Sequence, residues 1–214
     1  MTTNKRNGFT LVELMVTLLV AAIVLGVGIP AFSQFVSTNR MAAAVNDVTT
    51  SIHLARTEAV KRRANVTVCP SGNWDTAAPT CSLAGSMENG WIVFVDCTVQ
   101  PPPANTCGAP NYTVDAFDTV VAVHGPLPDD IANNFATNPG TPQYISYSAT
   151  GFPRQIAVGQ PPKTDFQLCD HRGNTDIGGG VAAGRWVRIA PTGRPQIYRD
   201  VADVQSGLNP LGGC

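Results

Sequence analysis

The chain has 214 residues, a formal net charge of −1 and 14% charged residues, well below the usual quarter. This length is enough for one domain of ordinary size with a hydrophobic core of its own. A charge near zero excludes a strong overall field that would attract nucleic acid or acidic lipid, and the shortage of charged residues is typical of a protein with a long apolar segment and many contacts to partners.

The strongest pattern is an apolar run near the N-terminus. A short polar leader with Lys5 and Arg6 precedes residues 9–29, which contain a single charged residue, Glu13. As a helix this run would span about 31 Å, close to the hydrocarbon thickness of a bilayer. Because Lys5 and Arg6 favour a cytoplasmic N-terminus, the residues after Pro30 are expected across the membrane.

Two other interpretations of the run compete with a functional one. The first is a cleaved signal peptide with small residues at 26–28, and the second is a plain membrane anchor. Both leave Glu13 unexplained, because a carboxylate in an apolar span costs up to about 3 kcal/mol at the middle of a bilayer. A function for this carboxylate is therefore the better interpretation.

Residues 8–13, GFTLVE, resemble the prepilin peptidase site of type IV pilins and type II secretion pseudopilins. The resemblance implies that prepilin peptidase cuts after Gly8 and removes residues 1–8. It also implies that the new N-terminal residue, Phe9, is N-methylated and that the apolar helix is retained in the mature chain.

The resemblance also gives Glu13 a role in assembly. In this family the glutamate meets the positive amino terminus of a neighbouring subunit, and a proline recurs at the position of Pro30. Pairing relieves two poorly solvated charges at once, and breaking such a pair is costly. We therefore expect Glu13 to favour one axial stagger of subunits in a filament.

After Pro30 the pattern becomes amphipathic. Apolar residues recur at steps of four and three and form one helical stripe, namely Met41, Val45, Val48, Ile52, Ala55 and Ala59. The opposite face is polar and carries Asn39, Arg40, Asn46, Asp47 and Glu58. The sequence predicts one helix from about residue 9 to residue 63, bent near Pro30, with the stripe of its second half packed on a sheet.

Beyond Asn65, short β-type segments alternate with turn-rich stretches. Strands are predicted at residues 66–69, 91–95, 113–124, 144–148, 164–169 and 186–190. The continuous apolar run at 91–95 indicates a strand buried on both faces. Two similar turns, at 148–156 and 190–197, are either ordinary hairpin turns or a device that presents Arg154 and Arg194 at one end of the sheet.

All six cysteines lie after the apolar run, at Cys69, Cys81, Cys97, Cys107, Cys169 and Cys214. An even number of cysteines in an exported domain indicates disulfides, although spacing alone does not fix their connectivity. Pairing of near neighbours suggests Cys69–Cys81, Cys97–Cys107 and Cys169–Cys214. The alternative is a metal site, but the sequence has no C-x-x-C and its three histidines are scattered, so we expect neither a metal nor a cofactor.

Residues 53–64, HLARTEAVKRRA, with the following VTVCP and the late TGRP at 192–195, resemble the GspH/FimT/FimU family of minor pilins and minor pseudopilins. The resemblance implies an α+β class and the type IV pilin fold, in which a long N-terminal helix, transmembrane in its first half, packs on antiparallel β-sheets. The expected organisation is a leader at 1–8, a transmembrane and filament-core helix at 9–29, an amphipathic helix at 30–64 and a β-rich head at 65–214.

The same resemblance implies a minor type IV pilin in the tip or priming complex, with a type II secretion minor pseudopilin as the alternative. The expected partners are other minor and major pilins or pseudopilins, prepilin peptidase, and the inner membrane before assembly. The chain would first be a single-pass inner-membrane protein with a periplasmic head and would later lie at the pilus tip on the cell surface.

A further alternative is DNA binding in natural transformation, which some FimT-type members perform through a C-terminal G-R-x-R element. This chain has Gly193-Arg194-Pro195-Gln196, so the second arginine is absent. The candidate phosphate contacts are Arg185, Arg188, Arg194 and Arg199, with Trp186 and Tyr198 as candidate stacking residues. Loss of Lys5 and Arg6 with the leader makes the mature chain net acidic, so DNA is not the favoured partner.

No catalytic motif is present in the sequence. G-x-S-x-G, H-E-x-x-H and phosphate-cradling loops are all absent. The pair Asp129-Asp130 lies in a Gly/Pro-rich stretch, and Asp170-His171 has no identifiable nucleophile beside it. We therefore expect a structural protein and not an enzyme.

Overall fold

The computed structural model describes residues 8–82, 85–96, 114, 118–132, 135–138, 143–155 and 162–214, with the side chains of 132 and 135–138 left out. The chain divides into two compact units, Met1–Asn39 and Arg40–Cys214. Cys97, Cys107 and most of the first half of the strand predicted at 113–124 lie outside the described residues.

Helix α1 spans Leu11–Arg62 and is continuous through Pro30, so the bend expected there stays a prediction. Within the first unit, residues 8–35 are all exposed. Within the second unit, every residue of the predicted apolar stripe is buried, from Met41 to Ala59. The periodicity therefore identified the face of α1 that enters the core of the second unit.

Among the described residues, the β-strands form two four-stranded sheets. The first sheet has the order β3-β2-β1-β5, with β1 at Asn65–Pro70, β2 at Trp91–Asp96, β3 at Thr119–His124 and β5 at Ile145–Tyr147. The second has the order β4-β6-β7-β8, with β4 at Phe135–Asn138, β6 at Asp165–Leu168, β7 at Val181–Ile189 and β8 at Pro195–Asp200. All the strand pairs are antiparallel, which confirms the predicted α+β class with a long helix and antiparallel sheets.

Three short helices complete the described elements. A 3₁₀ turn lies at Met87–Asn89, α2 at Asp129–Ala132 and α3 at Val201–Val204. None of the three was predicted, because each is too short to show a helical period.

The buried stripe of α1 packs on both sheets and not on one. Its hydrophobic cluster includes Val68 and Val93 of the first sheet and Phe166 and Val187 of the second. Sequence periodicity identifies which residues of a strand face the core, but it does not say which strands pair with each other. The division into two sheets was therefore missed.

Strand β2 is buried on both faces, as the apolar run predicted. Its odd-numbered residues, such as Trp91 and Val93, enter the core beneath α1, and Ile92 and Phe94 form a second cluster with Cys69. Part of this second cluster comes from the loop that follows β1, through Trp74 and Cys81. A loop therefore covers the face of the first sheet that lies away from the helix.

Two strands were not predicted, and one is longer than predicted. Strand β4 lies in a stretch that was interpreted as turns, and β8 begins at a proline, which strands tolerate at a sheet edge. Strand β7 begins at Val181 and not at the predicted Trp186. The sequence did not indicate this longer strand, because its first residues include alanine and glycine, which have low β-propensity.

The prediction that Glu58 lies on the solvated face of α1 is wrong. This residue is only 7% exposed. Its carboxylate accepts hydrogen bonds from Lys61 and Arg62, which lie three and four residues further along the same helix. These hydrogen bonds compensate the buried charge and lower the pKa of Glu58, with the bond from Arg62 as the largest cause.

Candidate assembly site

The N-terminal end of α1 is defined by a side-chain cap. The backbone N–H of Glu13 donates to Oγ1 of Thr10 at 3.2 Å, which satisfies one of the amides that a helix leaves unpaired at its start. Gly8 and Phe9 precede the helix. The peptide bond expected to be cut therefore lies outside the helical segment.

Thr10 was missed in the interpretation of the sequence. The spacing Thr10-x-x-Glu13 before an apolar run is that of a capping box, and this signal would have found it. The motif interpreted as a peptidase site is thus also a helix start signal. One short segment combines the expected cleavage site with the residue that fixes where α1 begins.

The first part of α1 exposes its apolar side chains. Leu11 is 73%, Val12 68% and Ile29 64% exposed, and Glu13 is exposed among them. No described residue forms a salt bridge with the Glu13 carboxylate. Among the described residues, α1 is the one helix long and apolar enough to cross a membrane.

The two similar glycine turns lie side by side against the end of α1. Nε of Arg56 donates to the carbonyl oxygen of Gly151 at 3.1 Å, and Nη2 donates to that of Thr192 at 3.0 Å. A Cβ atom on Gly193 would overlap the carbonyl oxygen of Gly151. Arg56, which the sequence did not single out, therefore holds both turns on the helix.

Backbone conformation explains why both turns contain glycine. Gly151 has φ of 79° and Gly193 has φ of 83°, in the left-handed region that other residues rarely adopt. The hydroxyl of Tyr147 donates to the carbonyl of Gly193 at 2.9 Å, and burial raises the pKa of this tyrosine. The repeat in the sequence thus corresponds to two turns packed on each other.

The two arginines of these turns are not presented alike. Arg194 is exposed, as expected. Arg154 is half-buried, its Nε donates to the carbonyl of Gln155 at 3.3 Å, and burial lowers its pKa. Of the two interpretations of these turns, ordinary hairpin turns fit better than joint display of both arginines, because Arg154 is half-buried.

Two of the four arginines considered for DNA contact, Arg185 and Arg188, form hydrogen bonds within the fold. Arg185 is 8% exposed and its Nη1 donates to the carbonyls of Ala183 and Gly184, and burial is the main cause that lowers its pKa. Nε of Arg188 donates to Asp165 at 2.9 Å. Arg194 and Arg199 are exposed.

The aromatic residues beside these arginines, Trp186 and Tyr198, contact each other within the fold. Trp186 is 1% exposed, donates from Nε1 to Asp165 at 3.0 Å, and stacks on Tyr198 with ring centroids 4.3 Å apart. The guanidinium of Arg188 lies 4.5 Å from the Trp186 ring centroid. Trp186 is therefore not accessible to a nucleic-acid base, and the structure does not bring the predicted set together as one open face.

Two of the suggested disulfides are present. Cys69 bonds to Cys81 and Cys169 bonds to Cys214, with Cα atoms 5.6 Å and 5.7 Å apart. The third suggested pair, Cys97–Cys107, lies outside the described residues. Within the described part of the chain, no group of three or more His, Cys, Asp or Glu side chains is arranged to hold a metal ion.

Two other candidates, Asp170 and His53, have different surroundings in the fold. Asp170 is buried and accepts from Nε of Arg172 at 3.0 Å, so it anchors an arginine next to a disulfide. His53 is exposed, as expected for a residue off the buried stripe. These placements add no further group to the candidate site at the start of α1.

Two stretches of the chain match known protein families. The profile described as type II transport protein GspH matches residues 44–193, and the profile described as a prokaryotic N-terminal methylation motif matches residues 3–29. Because the first match covers more than half of the chain, the chain belongs to the GspH family. The second match contains Gly8, Phe9 and Glu13.

Comparison with solved structures gives two crystal forms of the type IV minor pilin FimU from Pseudomonas aeruginosa. The first is 16% identical, with a TM-score of 0.46, and the match covers 77% of this chain and 92% of that one. The second is 15% identical, with a TM-score of 0.42, and covers 73% and 91%. No protein with a curated description matches the sequence.

These observations define the general class of the protein. A GspH-family head follows an apolar helix with the N-terminal methylation motif. The chain is a pilin-like subunit of the minor pilin and pseudopilin type, and its N-terminal helix indicates membrane anchoring.

Proposed function

We propose that the chain is a minor type IV pilin, a structural and non-catalytic subunit that acts in the tip or priming complex during pilus assembly. The observation that carries this proposal is the uniform exposure of residues 8–35. An apolar helix of this kind is stable only in a bilayer or against other apolar helices. A filament core of packed helices supplies the second environment.

The proposed life of the chain has two stages. It begins as a single-pass inner-membrane protein with a periplasmic head, and prepilin peptidase cuts after Gly8 and methylates Phe9. The helix then leaves the bilayer and joins other minor and major pilins at the pilus tip. Thr10 supports this route, because a helix that begins at Leu11 leaves the Gly8–Phe9 bond accessible.

Glu13 gives the transfer from membrane to filament a driving force. In the bilayer its carboxylate is poorly solvated, at a cost of up to about 3 kcal/mol. In the filament it meets the amino terminus of Phe9 of a neighbouring subunit. The gain depends on alignment of the two groups, so pairing favours one axial position of the subunit.

A second candidate is a minor pseudopilin of type II secretion. The description of the matched family, type II transport protein GspH, favours this candidate. Both candidates use the same helix and the same processing site. DNA binding has less support, because Arg185 and Arg188 are held by groups of the fold and Trp186 is buried.

The proposal is tested first on the mature N-terminus. Mass spectrometry of the chain purified from membranes should show a first residue Phe9 that carries one methyl group. A chain that begins near Ile29, with the apolar run discarded, would remove the filament interpretation. A chain that keeps residues 1–8 would remove the processing step.

The role of Glu13 is tested by Glu13→Ala in the full-length chain. We expect normal processing but about a tenfold or greater loss of the chain from sheared filaments, which corresponds to at least ~1.4 kcal/mol. Glu13→Asp, which keeps the charge, is the matched control and should retain more incorporation than Glu13→Ala. Normal incorporation of Glu13→Ala would contradict the pairing mechanism and leave the class intact.

Deletion of the gene separates the candidate functions. A minor pilin is required for surface piliation, whereas a minor pseudopilin is required for secretion of folded proteins into the medium. Loss of piliation with normal secretion supports the first candidate, and the reverse result supports the second. A salt-dependent mobility shift with the purified chain, abolished by Arg194→Gln and Arg199→Gln, would instead favour DNA binding.

A further inference from the structure

The end of α1 carries an exposed surface that combines large apolar side chains with basic ones. Val60 is 52% and Phe152 is 53% exposed, although both belong to residue types that usually lie in a core. A Cβ atom on Gly151, which directly precedes Phe152, would lie 2.8 Å from Cγ2 of Val60. Gly151 and Val60 are therefore neighbours in space, and Phe152 follows Gly151 in the same turn.

A cavity of about 390 Å³ opens beside these residues. It is lined by Arg56, Thr57, Val60 and Lys61, which occupy the same stretch of α1. Its wall is apolar at Val60 and basic at Arg56 and Lys61. This volume lies within the range of ligand pockets, so the cavity is large enough to accept a side chain of a partner.

Arg56 and Lys61 line the cavity, and Arg63 directly follows α1. The Lys61 side chain is 69% exposed, and Arg63 and Arg194 are exposed. Arg194 follows Gly193, on which a Cβ atom would lie 3.1 Å from Nε of Arg56. We define the α1-terminal patch as Arg56, Val60, Lys61, Arg63, Phe152 and Arg194.

The nearby acid pairs with only one residue of the α1-terminal patch, Lys61. Glu58 has a side chain only 10% exposed, and it already binds Lys61 and Arg62. Arg63 and Arg194 therefore keep a positive charge at the surface. Carboxylates of a partner would complement them.

The patch is held in shape before any partner binds. Arg56 donates two hydrogen bonds to the carbonyls of Gly151 and Thr192. It therefore positions the turns that carry Phe152 and Arg194. A surface that is already ordered loses little conformational entropy on binding. This arrangement favours recognition by a rigid contact.

A simpler explanation accounts for only part of the surface. Basic residues in the last turn of a helix balance the negative end of its dipole, which explains Lys61 and Arg62. It does not explain Arg194, which comes from the turn after β7, and it does not explain the exposure of Val60 and Phe152.

We propose that the α1-terminal patch docks an acidic and apolar segment of another pilin-like subunit of the same filament. This inference rests on the proposed function and adds the chemistry of one contact. An apolar side chain of the partner lies on Val60 and Phe152, and adjacent carboxylates pair with Arg63 and Arg194. DNA phosphates would match the charges alone and leave the apolar residues without a partner.

The test places the photoreactive residue p-benzoylphenylalanine at position 152 of the full-length chain in its own host. After irradiation of intact cells, crosslinked peptides are identified by mass spectrometry. We expect a crosslink to another pilin-like subunit at a segment that contains Asp or Glu. Replacement of Leu208, which is 72% exposed and not part of the patch, is the control and should not give this crosslink.

Charge reversal tests the basic part of the patch. The double variant R63E/R194E should reduce the crosslink from position 152 about tenfold, and Asp or Glu→Lys in the partner segment should restore it. R199E reverses an exposed arginine outside the patch and should leave the yield unchanged. If the unfolding transition of the double variant is shifted, R63Q and R194Q are used singly, with a smaller loss expected from each.

The outcomes separate this inference from the proposed function, because incorporation into sheared filaments is measured in the same samples. Incorporation without a crosslink at position 152 overturns the docking patch and leaves the minor pilin proposal standing. A crosslink to DNA, or to a segment without acidic residues, also overturns the patch. A chain that is absent from filaments overturns both proposals.

Discussion

In the first part of α1, residues 11–35, apolar side chains occupy every face of the helix and remain exposed, whereas in the second unit the apolar stripe from Met41 to Ala59 is buried. The two parts belong to one continuous helix, Leu11–Arg62. The chain itself provides the core for the second part, and it provides no described cover for the first. The composition of the first part therefore reflects surroundings outside the molecule.

The two glutamates of α1 repeat this contrast. Glu58 is buried and receives hydrogen bonds from Lys61 and Arg62 of its own helix. Glu13 is exposed, and no described residue forms a salt bridge with it. One carboxylate is compensated by basic residues of its own helix, and the other has no salt-bridge partner among the described residues.

The largest expected effect comes from matched truncations in the two parts of the helix. Ile52→Ala removes a side chain that is 0% exposed in the core and should lower the free energy of unfolding of the second unit by about 2–5 kcal/mol. Ile23→Ala removes one that is 60% exposed and should leave that free energy unchanged. Denaturant titration of the full chain in detergent micelles, followed by tryptophan fluorescence, measures both.

Equal effects from the two truncations would break the comparison between the helix parts. A substantial loss with Ile23→Ala would mean that the first part of the helix also contributes to the stability of the second unit. The fluorescence reports on the correct unit, because all three tryptophans lie after residue 40.

The next effect concerns how the second part of α1 is held at its end. Gly193→Ala combines a strained backbone, at φ of 83°, with overlap between the new Cβ and the carbonyl of Gly151. We expect a loss of about 2–4 kcal/mol of stability, since strain and overpacking add. Chemical denaturation measures it.

Gly180→Ala is the matched control for this substitution. Gly180 has φ of 80°, almost the same backbone conformation, but a Cβ there would meet nothing within 4 Å. It should cost only the strain, about 1 kcal/mol. If the two variants lose equal stability, close contact between the two turns is not part of what holds the helix end.

The sequence was sufficient to predict the features of α1 and β2 that depend on near neighbours. The buried stripe from Met41 to Ala59 follows from a period that each helical turn repeats. The two buried faces of β2 follow from its unbroken apolar run. The burial of Glu58 was missed, because basic residues three and four positions later indicate its ion pairs but not its burial.

The features that could not be predicted depend on contacts between distant parts of the chain. Arg56 binds carbonyls 95 and 136 residues away, and no local pattern encodes that geometry. The fold also decides which candidate arginines are exposed, because Arg185 and Arg194 look alike in sequence but only Arg194 is exposed. The motif that contains Gly8, Phe9 and Glu13 could be recognised in the sequence because its residues lie within one short segment.

A smaller effect tests the compensation of Glu58. Glu58→Gln removes the charge that Lys61 and Arg62 bind and should cost about 1 kcal/mol, because both partners remain partly in water. The structure also predicts a pH dependence. Hydrogen bonds lower the pKa of Glu58 below its ordinary value of 4.5, so its stabilising contribution is present above about pH 4.5 and is lost as the pH falls through the lowered pKa.

The measurement is the free energy of unfolding between pH 3 and pH 7 for the natural chain and for Glu58→Gln. The natural chain should lose stability faster on acidification than the variant does. Parallel curves for the two proteins would show that Glu58 is not compensated by its neighbours, and the contrast with Glu13 would then disappear.

The smallest expected effect concerns the helix start in the first unit. Thr10→Val keeps the shape of the side chain but removes the acceptor for the Glu13 amide, which should destabilise the first turn of α1 by about 1 kcal/mol. Thr10→Ser keeps a hydroxyl and is the control. If the cap sets where α1 begins, loss of the cap should change how the Gly8–Phe9 bond is presented, and the rate of leader removal in a time course should change with Thr10→Val and not with Thr10→Ser. An identical rate for all three chains would show that the cap has no part in processing.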